Sequence, residues 1–210
     1  MLLLSNYNKM TNKTQPIQSN RALEILVVED KEEHILSAKK LLAMHNTYIA
    51  KTYSEAIKKL RKHDVHFDAV LSDLFFPYGE DCACYDDRNK PEALGYALSL
   101  YAARRDVPII ALITDGNHHA SPICATFDSF DEDTAGSSES IARPYLSRPI
   151  IKINNSLFAM FDIRDCKPIR FNENAEIVGE NYGYENGVKN WVDVLDSMLN
   201  PEKQIKPRPM

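Results

Sequence analysis

The amino-acid sequence predicts an α/β fold built on a doubly wound parallel sheet, with an irregular, extended C-terminal half. Three short apolar runs carry this prediction: Ile25 to Val28, Phe67 to Asp73, and Val107 to Ile113. Each run ends abruptly in carboxylate or hydroxyl residues, as a fully buried parallel strand does where it surfaces at its carboxyl edge. Stretches with helical spacing separate the runs, and this alternation favours parallel strands joined by right-handed crossovers.

The first half of the chain can be assigned element by element. Apolar residues at helical spacing indicate the helices, serine is a preferred N-cap, and proline suits the first position of a helix. The pattern predicts, in order, a strand from Glu24 to Val28, a helix from about Lys31 to His45, a short strand around Tyr48 to Lys51, a helix capped by Ser54, a strand ending at Asp73, a helix beginning at Pro91, and a strand ending at Thr114.

The second half is less regular. Residues 116–147 are rich in serine, aspartate, glycine and proline, with one helix predicted near Pro122 to Phe130. Two strand-like runs, Ile150 to Ile153 and Leu157 to Ile163, flank asparagines that suit a hairpin turn. A closing helix is expected from Val188 to Leu199. We therefore expect a disordered arm at 1–21, one domain at 22–200 with an insertion at about 116–171, and a disordered tail at 201–210.

Composition narrows the class of protein. The chain has 210 residues, 44% of them hydrophobic, which suits one globular domain with additions. Its formal net charge of -5 provides no basic surface for nucleic acid. The four cysteines include no C-x-x-C pair and are typical of reduced thiols. No stretch approaches the length of a membrane span or a secretory signal, so we expect a cytoplasmic protein without a membrane partner.

Polar residues follow three of the predicted strands directly. Glu29 and Asp30 follow the first strand, Asp73 ends the third, and Thr114 and Asp115 follow the fourth. Ligands of open α/β sheets bind outside the carboxyl ends of the strands, where these side chains would gather. Carboxylates packed this closely need a cation or a proton to coexist, which predicts chemistry at this edge. Two simpler interpretations remain open: Asp30 as a helix N-cap, and Asp73 as a turn former before Pro77.

The same segments resemble the receiver domain of two-component response regulators. The segment from Ile25 to Asp30 is similar to that family's first strand and acidic pair. The segment from Val70 to Pro77 is similar to its phosphoacceptor strand and D-x-x-x-P turn, and Ile110 to Thr114 to its fourth strand with a switch hydroxyl. The resemblance covers about residues 22–114 and implies a flavodoxin-like fold.

The resemblance implies a stand-alone signalling domain and not an enzyme. Asp73 would be the phosphoacceptor, and Glu29, Asp30 and Asp73 would together hold Mg²⁺, which prefers carboxylates and phosphate oxygens. Thr114 would contact the phosphoryl group and act as the switch. A histidine kinase or phosphotransfer protein would supply the phosphoryl group, and a downstream protein partner would recognise the switched state.

One family feature has no unique counterpart in the sequence. Receivers place a lysine at the end of the fifth strand, and Lys152, Lys167 and Arg148 are all candidates here. If the two C-terminal runs form a hairpin, Lys152 lies at the end away from the acids, and Lys167 is the better placed. The position stays unassigned.

Two other functions are compatible with the sequence. A pseudo-receiver would keep the fold and bind partners without phosphorylation. A metal-dependent hydrolase would use Asp30, Asp73 and Asp115 together with His118 or His119, because imidazoles and carboxylates can converge on one ion.

Overall fold

The structure, a computed structural model, describes residues 21–79, 89–116, 122–126, 150–174, 176–179 and 187–200. Its elements in chain order are β1 (Glu24–Val28), α1 (Glu32–Leu41), β2 (Asn46–Ala50), α2 (Tyr53–Arg61), β3 (Ala69–Asp73), β4 (Phe76–Pro77), β5 (Pro91–Glu92), α3 (Leu94–Arg104), β6 (Ile109–Thr114), α4 (Pro122–Ala125), β7 (Ile151–Ile153), β8 (Ser156–Asp162), a short 3-10 helix (Ile163–Asp165), β9 (Ile169–Phe171), β10 (Ile177–Gly179) and α5 (Trp191–Leu199).

The central sheet confirms the predicted fold class. Within the described part of the chain, six strands pair in the order β2-β1-β3-β6-β8-β7. The first five of these are mutually parallel, and β7 pairs antiparallel with β8 at the edge. Numbered along the chain, the parallel strands have the order 2-1-3-4-5, which is the flavodoxin-like form of the doubly wound sheet.

Alternating side chains of the strands build a core on each face of the sheet. Leu26 and Val28 of β1 belong to the core that α2 and α3 cover, whereas Ile25 and Val27 belong to the core that α1 and α5 cover. This alternation follows from the period of two in a strand, and both faces are apolar because helices cover both. Trp191, at the start of α5, is fully buried in the second core.

Several predicted boundaries were wrong. Thr52, and not Ser54, caps α2, because its hydroxyl accepts a hydrogen bond from the Glu55 N–H at 3.2 Å. Pro91 does not begin a helix: it lies in β5, which pairs with β4, and α3 begins at Leu94. The first helix ends at Leu41, and the second strand begins at Asn46, earlier than expected.

The C-terminal half follows the predictions in part. The hairpin of β7 and β8 is confirmed, and Asn154 in its turn adopts a left-handed conformation with φ of 54°. The insertion predicted at about 116–171 contains β8. Because β8 is a strand of the central sheet, this part of the predicted range belongs to the sheet. The helix expected near Pro122 is present as Pro122–Ala125. The rest of that expected helix beyond Thr126, the tail at 201–210 and the arm before Arg21 lie outside the described residues.

No helix within the described ranges is both long and apolar enough to cross a lipid bilayer.

A glycine allows α3 to pack tightly against the end of β3. The N–H of Gly95 donates to the carbonyl oxygen of Leu74 at 3.1 Å, and a Cβ added at Gly95 would lie 2.6 Å from the carbonyl oxygen of Asp73. We therefore expect Gly95→Ala to destabilise the protein by about 1–3 kcal/mol despite the better helix propensity of alanine. Denaturant unfolding measures this, with Leu100→Ala at an exposed position of α3 as the near-neutral control. An unchanged or higher stability of Gly95→Ala would contradict the close approach.

Candidate functional site

Three carboxylates meet at the carboxyl edge of the sheet. Glu29 and Asp30 follow β1, and Asp73 ends the neighbouring strand β3. Because β1 and β3 are parallel and adjacent, their carboxyl ends lie side by side. One carboxylate oxygen from each of the three residues lies within 4.8 Å of the other two. The predicted juxtaposition of Asp73 with Glu29 and Asp30 is therefore confirmed.

Thr114 ends the next strand at the same edge. In the parallel pair of β3 and β6, Asp73 is opposite Ile113, so Thr114 lies one residue beyond it. Its side chain is buried, and its hydroxyl oxygen accepts a hydrogen bond from the N–H of Gly116 at 3.0 Å. No described residue accepts the hydroxyl proton, which can serve an acceptor placed in the site.

A lysine that the sequence analysis missed lies inside the carboxylate cluster. The Nζ atom of Lys189 is 2.6 Å from Oε2 of Glu29 and 2.8 Å from Oδ1 of Asp73, and the residue is fully buried. Burial acts to lower the pKa of Lys189, but the negative charges of Asp73 and Glu29 outweigh it and raise that pKa above its usual value. The ammonium therefore stays protonated and bridges the two carboxylates.

None of the described candidates for the family lysine occupies this position. Lys152 pairs with Leu157 at the start of β8 and so lies at the opposite end of the sheet, as the hairpin predicted. Lys167, expected to be better placed, is exposed and contributes its backbone N–H to Asp193 at 2.9 Å. Arg148 lies outside the described residues. Among the described residues, the lysine that contacts Asp73 is Lys189, in the connection between β8 and α5.

The position at which the last helix begins explains why the sequence did not point to Lys189. The expected helix from Val188 would have placed Lys189 in its first turn. Instead, Asn190 is the N-cap, its side-chain oxygen accepts from the N–H of Asp193 at 3.3 Å, and α5 begins at Trp191. The available signal for Lys189 was its place directly before a preferred cap residue and an apolar helix.

The carboxylates differ in the hydrogen bonds that their oxygens accept. Glu29 accepts hydrogen bonds from the N–H groups of Asp30 and Lys31 on Oε1, both at 3.1 Å, and contacts Lys189 through Oε2. Burial raises the pKa of Glu29, an effect that Lys189 opposes and that the charge of Asp73 reinforces. Oδ1 of Asp73 accepts from the N–H of Leu74 at 2.7 Å as well as from Lys189.

Asp30 has a carboxylate oxygen without a hydrogen bond. Its Oδ1 atom is buried and has no hydrogen-bond partner among the described residues. Burial raises the pKa of Asp30, and the nearby charge of Asp73 raises it further. The N-cap of α1 is Lys31 and not Asp30, so the capping interpretation of Asp30 was wrong. An orphaned carboxylate oxygen beside two other carboxylates fits a hard divalent cation held by Glu29, Asp30 and Asp73.

A second charged group lies next to Thr114. Asp115 is ion-paired with Lys31, and its Oδ2 is 3.4 Å from Nε2 of the buried His34. Burial acts to raise the pKa of Asp115, but the His34 hydrogen bond and the charges of Lys189 and Lys31 hold that pKa below its usual value. Asp115 is therefore an anion neutralised by its neighbours. His118 and His119 lie outside the described residues.

Comparison with known proteins adds structural neighbours only. No protein-family model matches the chain, and no curated protein is similar enough to count as a relative. One similar solved structure is a fusion protein carrying the trimeric coiled coil of yeast Spc42, which is 19% identical over 50% of this chain and 63% of that chain, with a TM-score of 0.36.

Two further neighbours are an N-terminal domain of a response regulator protein and a receiver domain. The N-terminal domain of a response regulator/sensory box/GGDEF three-domain protein from Carboxydothermus hydrogenoformans is 20% identical over 45% of this chain and 66% of that chain, with a TM-score of 0.33. The non-phosphorylated HemR receiver domain from Leptospira biflexa is 25% identical over 47% of this chain and 70% of that chain, with a TM-score of 0.31. The chain spans a little under two thirds of the length of the first two structures, 63% and 66%.

Proposed function

We propose that this flavodoxin-like chain is a signalling receiver in which Asp73 accepts a phosphoryl group with the help of Mg²⁺. One observation carries the proposal: Glu29, Asp30 and Asp73 gather within 4.8 Å at the carboxyl edge, with the Lys189 ammonium 2.8 Å from Asp73. A carboxylate attacks phosphorus only when cations screen both its own charge and that of the phosphoryl group. This edge combines a permanent ammonium with carboxylates suited to a metal ion.

The two oxygens of Asp73 suggest separate roles. Oδ1 receives both hydrogen bonds to this side chain, from Leu74 and Lys189, and no described residue hydrogen-bonds Oδ2. We assign Oδ2 as the nucleophile. Its lone pair forms the new bond to phosphorus while the bond from phosphorus to the donor atom breaks, and the donor leaves with that electron pair. The donor atom is an oxygen in acetyl phosphate and a ring nitrogen in a phosphohistidine. Lys189 fixes Asp73 and offers its charge to the incoming group, and no proton transfer from Asp73 is needed.

The acidic cluster supplies the metal site in this proposal. Glu29, Asp30 and Asp73 would hold Mg²⁺, which would screen charge and bind phosphoryl oxygens. The orphaned Oδ1 of Asp30 is the ligand atom with the most to gain, because it has no hydrogen-bond partner among the described residues. Glu29 would share its oxygens between the ion and the hydrogen bonds that they already accept from two backbone N–H groups and Lys189.

Thr114 would convert the chemistry into a conformational signal. Its buried hydroxyl would donate to a phosphoryl oxygen, and this contact would favour a second arrangement of the loop after β6. A histidine kinase or phosphotransfer protein would supply the phosphoryl group. A downstream protein partner would bind the switched surface.

A pseudo-receiver is the second candidate, and one observation favours it. Both oxygens of Glu29 are already occupied, Oε1 by two backbone N–H groups and Oε2 by Lys189. A buried lysine in this position could replace the metal as the structural cation of the cluster. The hydrolase alternative gains no such support, because the carboxylate cluster of the described residues does not extend to Asp115.

Intact-mass measurement tests the proposed function. Purified protein incubated with acetyl phosphate and Mg²⁺ should gain one phosphoryl group that is stable in acid and labile in base, and chelation of Mg²⁺ should prevent the gain. The reaction needs only a positioned carboxylate, a cation and donors that screen charge. Absence of the phosphoryl group despite demonstrable Mg²⁺ binding would favour the pseudo-receiver.

Asp30→Asn should weaken Mg²⁺ binding and leave the fold intact. Because burial and the charge of Asp73 raise the pKa of Asp30, the neutral side chain should be at least as stable without metal at neutral pH. Mg²⁺ at about ten times its dissociation constant should stabilise the wild-type protein by about 1.4 kcal/mol, and the variant by much less. Thermal unfolding with and without Mg²⁺ measures both effects.

The exposed Asp64, before β3 at the opposite edge of the sheet, provides the matched control. Asp64→Asn removes the same charge and should keep the full stabilisation by Mg²⁺. Equal stabilisation of Asp30→Asn and the wild type would exclude Asp30 as a ligand.

A further inference from the structure

The backbone of Lys189 is held by side chains of α1. Nδ1 of His34 accepts a hydrogen bond from the Lys189 N–H at 3.3 Å, and the hydroxyl of Ser37 donates to the Lys189 carbonyl oxygen at 2.6 Å. The carbonyl oxygen of His34 in turn accepts from Nε1 of Trp191 at 2.9 Å. All four residues are buried, so α1 binds the peptide groups on both sides of the Lys189 Cα.

Lys189 lies outside the strands of the central sheet, and the hydrogen bonds from α1 hold its backbone in place. The central strand β8 ends at Asp162, and Lys189 lies far beyond it, after the β9–β10 pair. Its neighbour Val188 makes one isolated bridge to Ile169. A buried ammonium must be held accurately to pair with two carboxylates, and here the hydrogen bonds of a helix on one face of the sheet set its backbone position.

The hydrogen bonds of His34 also define its tautomer. Because Nδ1 accepts the Lys189 N–H, the ring proton belongs on Nε2, which lies 3.4 Å from Oδ2 of Asp115. His34 therefore contacts the lysine segment through one nitrogen and the residue after Thr114 through the other. Asp115 fixes the tautomer that Lys189 requires, as the outer partners of metal-binding histidines fix theirs.

We propose that His34 is a positioning residue that holds Lys189 against Asp73 for phosphoryl transfer, an inference that rests on the proposed function. His34 touches neither the phosphoryl group nor the metal site. It acts through the backbone of Lys189, so its loss should slow the transfer step and leave Mg²⁺ binding unchanged.

Conservative substitutions separate positioning from a general packing role. Asparagine places its Oδ1 near the position of the imidazole Nδ1 and can accept the Lys189 N–H, whereas glutamine places its Nε2 near the imidazole Nε2 and can only serve Asp115. We expect His34→Ala and His34→Gln to transfer from acetyl phosphate about tenfold more slowly, the scale of one lost buried hydrogen bond, and His34→Asn to stay within about twofold of the wild type. The Mg²⁺ concentration for half-maximal rate should not change in any of them.

Ile35 provides the control for stability alone. It is buried next to His34 on α1, and no hydrogen bond joins its side chain to Lys189. Ile35→Ala should unfold at lower temperature yet transfer at the wild-type rate where both proteins are folded. Equal rates for His34→Ala and the wild type, or equal slowing in His34→Asn and His34→Ala, would overturn the inference.

Amide hydrogen exchange at Lys189 separates this inference from the proposed function. Exchange at that N–H should be faster by about tenfold in His34→Ala and His34→Gln and close to wild type in His34→Asn. If the wild-type protein accepts no phosphoryl group, the proposed function fails and exchange alone decides whether His34 positions Lys189. Unchanged exchange in His34→Ala would reject the positioning role in either case.

Discussion

Replacing Lys189 by methionine should lower the free energy of unfolding by about 3–5 kcal/mol at neutral pH. The substitution keeps an unbranched side chain of similar length but removes the charge, and it leaves Glu29 and Asp73 buried next to each other without their cation. Unfolding in denaturant at about pH 7.5 measures the loss. Lys167→Met, at the exposed lysine that the sequence favoured, is the matched control and should change stability by no more than about 0.5 kcal/mol.

The pH dependence of this variant has a defined sign. Burial already raises the pKa of Glu29 in the wild-type protein, and Lys189 opposes that rise, so removing Lys189 should raise the pKa further. A carboxyl group whose folded-state pKa exceeds its unfolded value binds more protons in the folded state, so stability falls as pH rises between the two values. The deficit of Lys189→Met relative to wild type should therefore shrink between about pH 7.5 and about pH 5.5. If the stability difference between Lys189→Met and the wild type does not depend on pH, loss of the Lys189 charge is not its cause.

Asp73→Asn should abolish phosphorylation by acetyl phosphate. An amide oxygen is too weak a nucleophile to form the acyl phosphate, and no change elsewhere on the sheet edge would replace it. The variant should still fold, because the asparagine Oδ1 can accept the N–H of Leu74 as Asp73 does. Intact mass after incubation with acetyl phosphate and Mg²⁺ is the measurement.

Asp64→Asn again provides the charge-matched control and should accept one phosphoryl group as the wild type does. A phosphoryl group on the Asp73→Asn protein would show that another residue is the acceptor. Peptide mapping would then locate that residue.

The parts of the site that the sequence predicted depend on local patterns. An apolar run followed directly by a carboxylate or hydroxyl marks the end of a buried parallel strand, and parallel neighbours bring such ends together. These rules alone placed Glu29, Asp30 and Asp73 at one edge and Thr114 beside them. The strands β1, β3 and β6 ended where the sequence indicated for the same reason.

The lysine could not be predicted in this way, because distant residues determine its position. Lys189 is held by His34, 155 positions away, and its charge pairs with Glu29, 160 positions away. No periodicity in the sequence reports such contacts. The sequence near the start of α5 also gives two conflicting signals. The apolar pattern extends back to Val188, whereas the N-cap residue is Asn190, two positions later.

Two boundary errors have similar causes. Thr52 and Ser54 are both good caps, and Glu55, three residues after Thr52, marks Thr52 as the start of a capping sequence. The hydrogen bond from the Glu55 N–H to Thr52 makes that choice in the structure. Pro91 suits the start of a helix, but its pairing with Pro77 in the β4–β5 ladder depends on a loop closure that the local sequence does not reveal.

A crystal structure with Mg²⁺ and beryllium trifluoride, a phosphoryl mimic, is the decisive test of phosphoryl transfer to Asp73. We expect the mimic on Asp73 and a metal ion bound by Glu29, Asp30 and Asp73. Both the Lys189 ammonium and the Thr114 hydroxyl should lie within hydrogen-bond distance of the mimic. A structure in which Lys189 still bridges Glu29 and Asp73, with neither ion nor mimic at the carboxylates, would contradict phosphoryl transfer at this site.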